Sequence, residues 1–189
     1  DGVTRAVVAP SAGRSIFAGQ GAVIDTGADM DPITAARRFQ FVELGEAGAS
    51  EAGGSRASAH VLLRSALREA AELSRYSGVN GGRPERPSGR VRGQQPMVDD
   101  PISPSLLSRD VERSEDIRLT RFDAAALVPV LQGRQILLVH VERASDILQI
   151  IQLKREFPRL RPVLVGVSEG WMVADKIAAA SIPVIASAL

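Results

Sequence analysis

The sequence contains no cysteine and only two histidines, His60 and His140. The lack of cysteine excludes disulfides, thiolate metal sites and cysteine nucleophiles, and two histidines are too few for an all-histidine metal site within this chain. Aromatic residues make up 4% of the chain against 44% for hydrophobic residues, so the core must be aliphatic. No apolar run approaches the roughly 18 residues of a membrane span. The pattern favours a soluble protein, and it does not distinguish the cytoplasm from the periplasm.

The charges nearly cancel, because the chain has 23 basic and 22 acidic residues and a formal net charge of +1. This balance argues against a dedicated polyanion binder. We therefore expect no nucleic-acid partner. The lack of a long apolar run likewise predicts no membrane partner, and the composition leaves a homo-oligomer open. The 189 residues suffice for one domain with an appendage. Because the chain begins and ends in strand-like segments, we expect a fragment of a larger protein.

The pattern divides the chain into three parts. Residues 1–42 hold a strand over 4–9 and a glycine-containing loop. Residues 43–120 form a variable helical insertion, whose one clear helix carries apolar residues at three- and four-residue spacing and ends near Ser77 and Gly78. It is followed by a loop, 78–101, that we expect to be mobile because it has almost no apolar residue to bury. Residues 121–189 are the most regular part.

In that last part, short apolar strands alternate with helices of 10–13 residues. Such alternation is typical of parallel βα units and predicts an α/β sheet or barrel. We expect the strand near 3–9 to join the same sheet. The three parallel strands are expected near 135–140, 162–167 and 183–187.

Polar residues follow these strands at the end where parallel α/β folds place their ligand sites. His140 comes directly after a buried strand and is a candidate metal ligand or base, although a hydrogen-bonded structural histidine fits its position equally well. Glu142 could orient a ligand. Asp146 and Glu169 are candidates for acids in the first turns of helices, and Glu169 is also a weak candidate for a catalytic residue.

Two other features carry weaker signals. The spacing of Gly13, Gly19 and Gly21 after a strand superficially resembles a phosphate loop, but it matches neither nucleotide-binding glycine motif. His60 lies on the helix of the insertion, and we expect it to be exposed or incidental. The residues by themselves leave two hypotheses open, a phosphate- or nucleotide-binding α/β module and a non-catalytic α/β domain, and the resemblance described next adds a third, a section of a hydrolase barrel.

The chain resembles metal-dependent amidohydrolases of the imidazolonepropionase-like branch over roughly residues 1–42 and 119–189. The stretch around His140, Leu-Val-His-Val-Glu-Arg-Ala-Ser-Asp-Ile, is the most specific part of the resemblance. The other stretches that carry it are 2–24, 127–133, 168–175 and 182–185.

This resemblance implies the central part of a (β/α)₈ TIM-type barrel of parallel strands, truncated at both ends. It implies hydrolysis of C–N bonds, in amides or cyclic amides, by water activated on one or two divalent metals, with zinc as the expected ion. His140 matches the family's fifth-strand histidine. The sixth-strand histidine is replaced by the 166–169 region, and the family's His-x-His and last-strand aspartate have no match in this chain.

The resemblance also gives a set of supporting residues. Glu142, Arg143 and Gln20 are candidates for contact with the substrate or for support of the metal. Because a zinc site of this type needs about three protein ligands, we expect the isolated chain to bind a divalent metal weakly and to hydrolyse nothing efficiently.

Overall fold

The computed structural model describes residues 2–27, 31–80 and 119–186, which fall into two compact units. The first unit comprises residues 1–65 and 130–189, and the second comprises residues 66–129. None of the helices in the described residues is long and apolar enough to cross a membrane.

The first unit is built on one six-stranded sheet in which the strands are ordered as they occur in the sequence. The aliphatic runs predicted as strands form its parallel half, and their side chains supply much of the buried core. The strands are β1 (Arg5–Val8), β2 (Phe17–Asp25), β3 (Ile33–Glu43), β4 (Ile136–Val141), β5 (Pro162–Gly166) and β6 (Val184–Ala186).

Helices connect the parallel strands, as βα units require. A short 3₁₀ helix, Gly170–Val173, leads directly into the last α-helix. The α-helices are α1 (Glu46–Glu51), α2 (Arg56–Asn80), α3 (Arg121–Leu131), α4 (Ala144–Glu156) and α5 (Ala174–Ala179).

The prediction of parallel strands near 135–140, 162–167 and 183–187 is confirmed by β4, β5 and β6. The prediction that the whole sheet is parallel is wrong for β1 to β3, and β3 itself was not predicted. Strands β3, β4, β5 and β6 pair in parallel, whereas β1, β2 and β3 pair antiparallel. The connections 9–16 and 26–32 are too short to hold the crossover of a dozen or more residues that parallel neighbours need. The strand predicted near 3–9 therefore joins the sheet, but at its antiparallel edge.

The predicted glycine loop is also corrected, because Gly19 and Gly21 lie within β2. A Cβ on Gly21 would overlap the Phe39 ring of β3, so the glycine makes room for that ring. Gly19 has a φ of +124° and lies where the pairing of β2 with β3 shifts register. These glycines therefore shape a strand and do not form a phosphate loop.

The second unit contains the later turns of α2 and most of α3. The periodic residues Ala66, Leu67, Ala70 and Leu73 are buried, which confirms the predicted helix. The helix continues to Asn80, slightly beyond its predicted end. The predicted loop 78–101 thus begins inside α2, and from residue 81 onward it lies outside the described residues.

Candidate functional site

The candidate site lies at the carboxyl ends of β3, β4 and β5 in the first unit. Glu43 is the last residue of β3, and it stands in register with His140 of β4, which in turn stands in register with Val165 of β5. Residues in register on parallel strands project to the same face of a sheet. The pairing of β3 with β4 therefore brings together two side chains that are far apart in the sequence.

The imidazole of His140 lies between two carboxylates. Its Nδ1 is 2.7 Å from Oε1 of Glu43, and its Nε2 is 2.8 Å from Oε1 of Glu142. The second oxygen of Glu142 accepts hydrogen bonds from the backbone N–H of Ser168, at 2.9 Å, and from the Ser168 hydroxyl. A hydrogen-bonded chain thus runs from the buried end of β3 to the loop after β5.

The turn after β3 encloses the Glu43 carboxylate. The backbone N–H of Gly45 donates to Oε1 of Glu43 at 2.7 Å. A Cβ on Gly45 would lie only 2.9 Å from that oxygen and 3.2 Å from Nδ1 of His140, and a Cβ on Gly48 in α1 would overlap the Glu43 carbonyl. Close approach of this backbone leaves the Glu43 side chain 12% exposed, against 28% for His140 and 32% for Glu142.

Glycine at the end of β5 makes the contact between His140 and Glu142 feasible. Gly166 has a φ of +91°, a region that L side chains rarely adopt. A Cβ there would overlap Oε1 of Glu142 and come within 3.0 Å of Cδ2 of His140. Gly166 belongs to the 166–169 region, which replaces the sixth-strand histidine of the family that the chain resembles. In this chain, the region therefore provides space for the Glu142 carboxylate.

The two carboxylates favour the imidazolium form of His140. The hydrogen bond to Glu43, together with the charges of Glu43 and Glu142, raises the pKa of His140 although burial opposes this change. Burial also favours the neutral form of Glu142, but the hydrogen bonds from Ser168 and His140 outweigh it and lower the pKa of that carboxyl. The protonated His140 imidazole and the ionised Glu142 carboxylate therefore stabilise each other.

Arg143 and Glu169 are engaged with each other beside this cluster. The Arg143 guanidinium donates to Oε1 of Glu169 at 2.7 Å, and the other oxygen of Glu169 accepts from the N–H of Ala144 at 2.9 Å. Glu169 therefore caps the start of α4. The expectation was that it would stabilise the first turn of the short helix that follows it in the sequence. The hydrogen bond from Ala144 is the main cause of the lowered pKa of Glu169.

The structure does not bring Gln20 to the cluster. Gln20 stands in register with Gln40 of β3. Gln40 is three residues from Glu43 in the same strand, and side chains an odd number of residues apart point to opposite faces. Gln20 is therefore on the other face of the sheet from Glu43 and His140.

The expectation that His60 is exposed is wrong, because its side chain is only 10% exposed. Its Nε2 lies 3.4 Å from Oδ1 of Asp146, and Nε of Arg56 lies 3.0 Å from Oδ2 of the same carboxylate. Burial lowers the pKa of His60, outweighing the attraction of Asp146. Asp146 does lie in the first turn of α4 as expected, and there it joins that helix to the start of α2.

The side chains around His140 are of types that bind metal ions, but they are too few to form a complete metal site. A carboxylate on one ring nitrogen, as Glu43 provides for Nδ1, is the usual way in which a metal-ligating histidine is oriented. Nε2 and the Glu142 carboxylate can then act as two adjacent metal ligands once Nε2 has lost the proton that it shares with Glu142. Within the described ranges, no group of three or more histidine, aspartate and glutamate side chains is arranged to hold a metal by itself.

Glu43 and Ser168 belong to the cluster but were not predicted from the sequence. Glu43 follows a largely apolar stretch, Phe39–Val42, just as His140 follows Ile136–Val139, so a search for polar residues after every such stretch would have found it. The sequence pattern instead places residue 43 at the start of the insertion, 43–120. Ser168 gave no signal, because its role depends on the backbone of the loop after β5.

Comparisons with known proteins identify one similar structure. No family model and no curated protein matches the chain. A crystal structure of an amidohydrolase from Thermotoga maritima MSB8 superposes with a TM-score of 0.72 at 18% sequence identity, covering 100% of this chain and 43% of that one. The likeness shows the fold: a mixed α/β chain with a curled six-stranded sheet of half-barrel form, compatible with part of a barrel. The chain spans less than half the length of that amidohydrolase.

Proposed function

We propose that this chain is part of a metal-dependent amidohydrolase that hydrolyses amide or cyclic amide C–N bonds, with His140 as a metal ligand. The observation that carries the proposal is the position of His140 at the carboxyl end of β4, between Glu43 and Glu142. The likeness to an amidohydrolase structure supports the same reaction class. The imidazolonepropionase-like branch remains our proposal on the sequence resemblance alone.

Each residue of the cluster has a separate task in this proposal. Glu43 holds Nδ1 and so directs Nε2 of His140 toward the ion. Glu142 supplies a carboxylate oxygen beside Nε2, and Ser168 fixes the orientation of that carboxylate by two hydrogen bonds. A bound divalent cation, with zinc as our proposal, would supply activation of water and polarisation of the substrate carbonyl.

Two donors are fewer than the three protein ligands typical of catalytic zinc. We therefore propose that the further ligands lie outside the described residues, in keeping with a similar structure whose chain is more than twice as long. Arg143 and Glu169, which border the cluster, are proposed to face the small-molecule substrate. Efficient turnover by the 189 residues alone is not expected.

Metal titration with a competing chromophoric chelator tests the proposal. The unaltered chain should bind zinc weakly, and His140→Ala should abolish this binding. Glu43→Gln should weaken it about 10- to 100-fold, as loss of a carboxylate behind a ligating histidine does. His60→Gln should leave the affinity unchanged. If His140→Ala binds zinc as the unaltered chain does, the ligand assignment is wrong and the cluster is structural.

A further inference from the structure

The turn after β5 contains a valine in a backbone conformation that L residues seldom adopt. Val167 has a φ of +59° and directly follows Gly166, whose φ is +91°. This left-handed region is disfavoured because Cβ comes close to the following carbonyl oxygen, and a β-branched side chain makes it a genuine outlier. Such conformations persist only where the surrounding structure holds them, and they cluster at functional sites.

Hydrogen bonds from three consecutive N–H groups hold the turn against the end of β4. The N–H of Val167 donates to the carbonyl of Val141 at 2.8 Å. The N–H of Ser168 donates to Oε2 of Glu142 at 2.9 Å, and the N–H of Glu169 donates to the Glu142 carbonyl, also at 2.9 Å. The turn is therefore bonded to both the backbone and the carboxylate of Glu142.

An extended strand could not make these three bonds. In a strand, the N–H groups of successive residues point alternately to opposite sides, so the N–H of Ser168 would point away from β4. The left-handed conformation of Val167 turns it back. The carbonyl of Val167 then accepts from the N–H of Gly170 at 2.7 Å, which closes the turn.

We propose that Val167 is a positioning residue of the site, whose left-handed backbone directs the Ser168 N–H and hydroxyl onto the Glu142 carboxylate. With Oε2 of Glu142 held in this way, Oε1 stays 2.8 Å from Nε2 of His140. The effect belongs to the backbone of Val167 rather than to packing of its side chain. The inference deepens the proposed function, on which it rests for the role of Glu142.

Amide hydrogen exchange at Ser168 in the metal-free chain, followed by NMR, tests the positioning directly. Val167→Asn should slow this exchange about fivefold, because asparagine tolerates the left-handed region and makes opening of the turn less favourable. Val167→Thr keeps the shape and the β-branch of valine, so it should leave the exchange within about twofold of the unaltered chain. Exchange in Val167→Asn that is no slower than in Val167→Thr would show that side-chain packing holds the turn, and would overturn the inference.

Zinc titration then tests whether the turn acts through Glu142. Ser168→Ala removes one of the two hydrogen bonds to Oε2 and should weaken zinc binding about tenfold. Adding Val167→Asn should restore about threefold of this loss, because the remaining N–H is then held more firmly on the carboxylate. The matched control is Ser181→Asn, since Ser181 has a comparable φ of +50° but follows α5. It should restore nothing.

The two measurements separate this inference from the proposed function. Slower exchange in Val167→Asn together with no zinc binding by any variant would support the positioning of Glu142 and contradict the proposed metal site. If zinc binds, and if Val167→Asn restores no affinity or Ser181→Asn restores as much, the inference is wrong.

Discussion

At the residue scale, the site depends on backbone that passes close to charged side chains. Glycines at the turn after β3 and at the end of β5 lie where a Cβ would press on Glu43, Glu142 or His140. A buried carboxylate is stabilised only if its lone pairs are satisfied. Here the backbone N–H groups of Gly45 and Ser168 provide some of these hydrogen bonds, and the His140 imidazole and the Ser168 hydroxyl provide the others.

Gly166→Ala should both destabilise the chain and break the contact between His140 and Glu142. Gly53→Ala is the matched control, because Gly53 also has a positive φ, +86°, but has no atom within 4 Å of a Cβ. Backbone strain alone should lower the free energy of unfolding by about 1 kcal/mol in the Gly53 variant. Overlap with Glu142 should cost the Gly166 variant about 2 kcal/mol more.

Urea unfolding of the two variants measures this difference. Equal free energies of unfolding would show that Glu142 moves aside at no cost, and that the space beside Gly166 is not needed for the cluster.

At the element scale, Asp146 joins α4 to the start of α2 through Arg56 and His60. Burial in this contact lowers the pKa of His60 on folding. A histidine whose pKa falls on folding stabilises the native state above its unfolded pKa, and this stabilisation is lost as the pH falls through the lowered folded pKa.

The stability contributed by His60 should therefore decrease as the pH falls below about 6.5, the ordinary histidine pKa. His60→Gln removes this titration. The difference in free energy of unfolding between the unaltered chain and the variant should shrink or reverse on acidification. His140 has the opposite effect, since its raised pKa stabilises the fold below its unfolded pKa and ceases to do so as the pH rises through the folded one.

Thermal unfolding of the chain and of His60→Gln at several pH values measures the difference. A difference that stays constant from about pH 8 to pH 5 would mean that His60 has an ordinary pKa in the folded state.

Much of this element-scale structure was predictable, because apolar runs and helical spacing identify elements regardless of their pairing. The strands of 121–189 and the long helix of the insertion are of this kind. The antiparallel pairing of β1, β2 and β3 was not predicted, because the direction of these strands depends on the lengths of the connections 9–16 and 26–32. His140 was found from its position after a buried strand, whereas Glu43, Ser168 and the burial of His60 depend on contacts across the sheet and between helices.

At the scale of the whole chain, the six-stranded sheet has β1 and β6 as its outer strands in the described residues. Ile185 of β6 is 51% exposed, and the neighbouring Val184 is 41% exposed. An exposed, apolar outer strand is a template for pairing with another chain. We therefore expect any self-association of this 189-residue chain to use β6.

Ile185→Lys should reduce this self-association, because a charge on an outer strand opposes edge-to-edge pairing. Sedimentation velocity over a range of protein concentrations measures it. Val61→Lys is the matched control, since Val61 is 55% exposed on α2 and away from any strand. A concentration-dependent sedimentation coefficient that Ile185→Lys leaves unchanged would place the association elsewhere.

The pairing of Glu43 with His140 joins residues 97 positions apart. The entropy lost on closing a flexible loop grows only with the logarithm of its length, so doubling the intervening chain would add about 0.6 kcal/mol. Lengthening or shortening the segment between β3 and β4 thus changes the free energy of forming the cluster very little. Flexible insertions into that segment, away from the turn after β3 and from the contacts of α2 with α4, can therefore accumulate while the pair at the strand ends is retained.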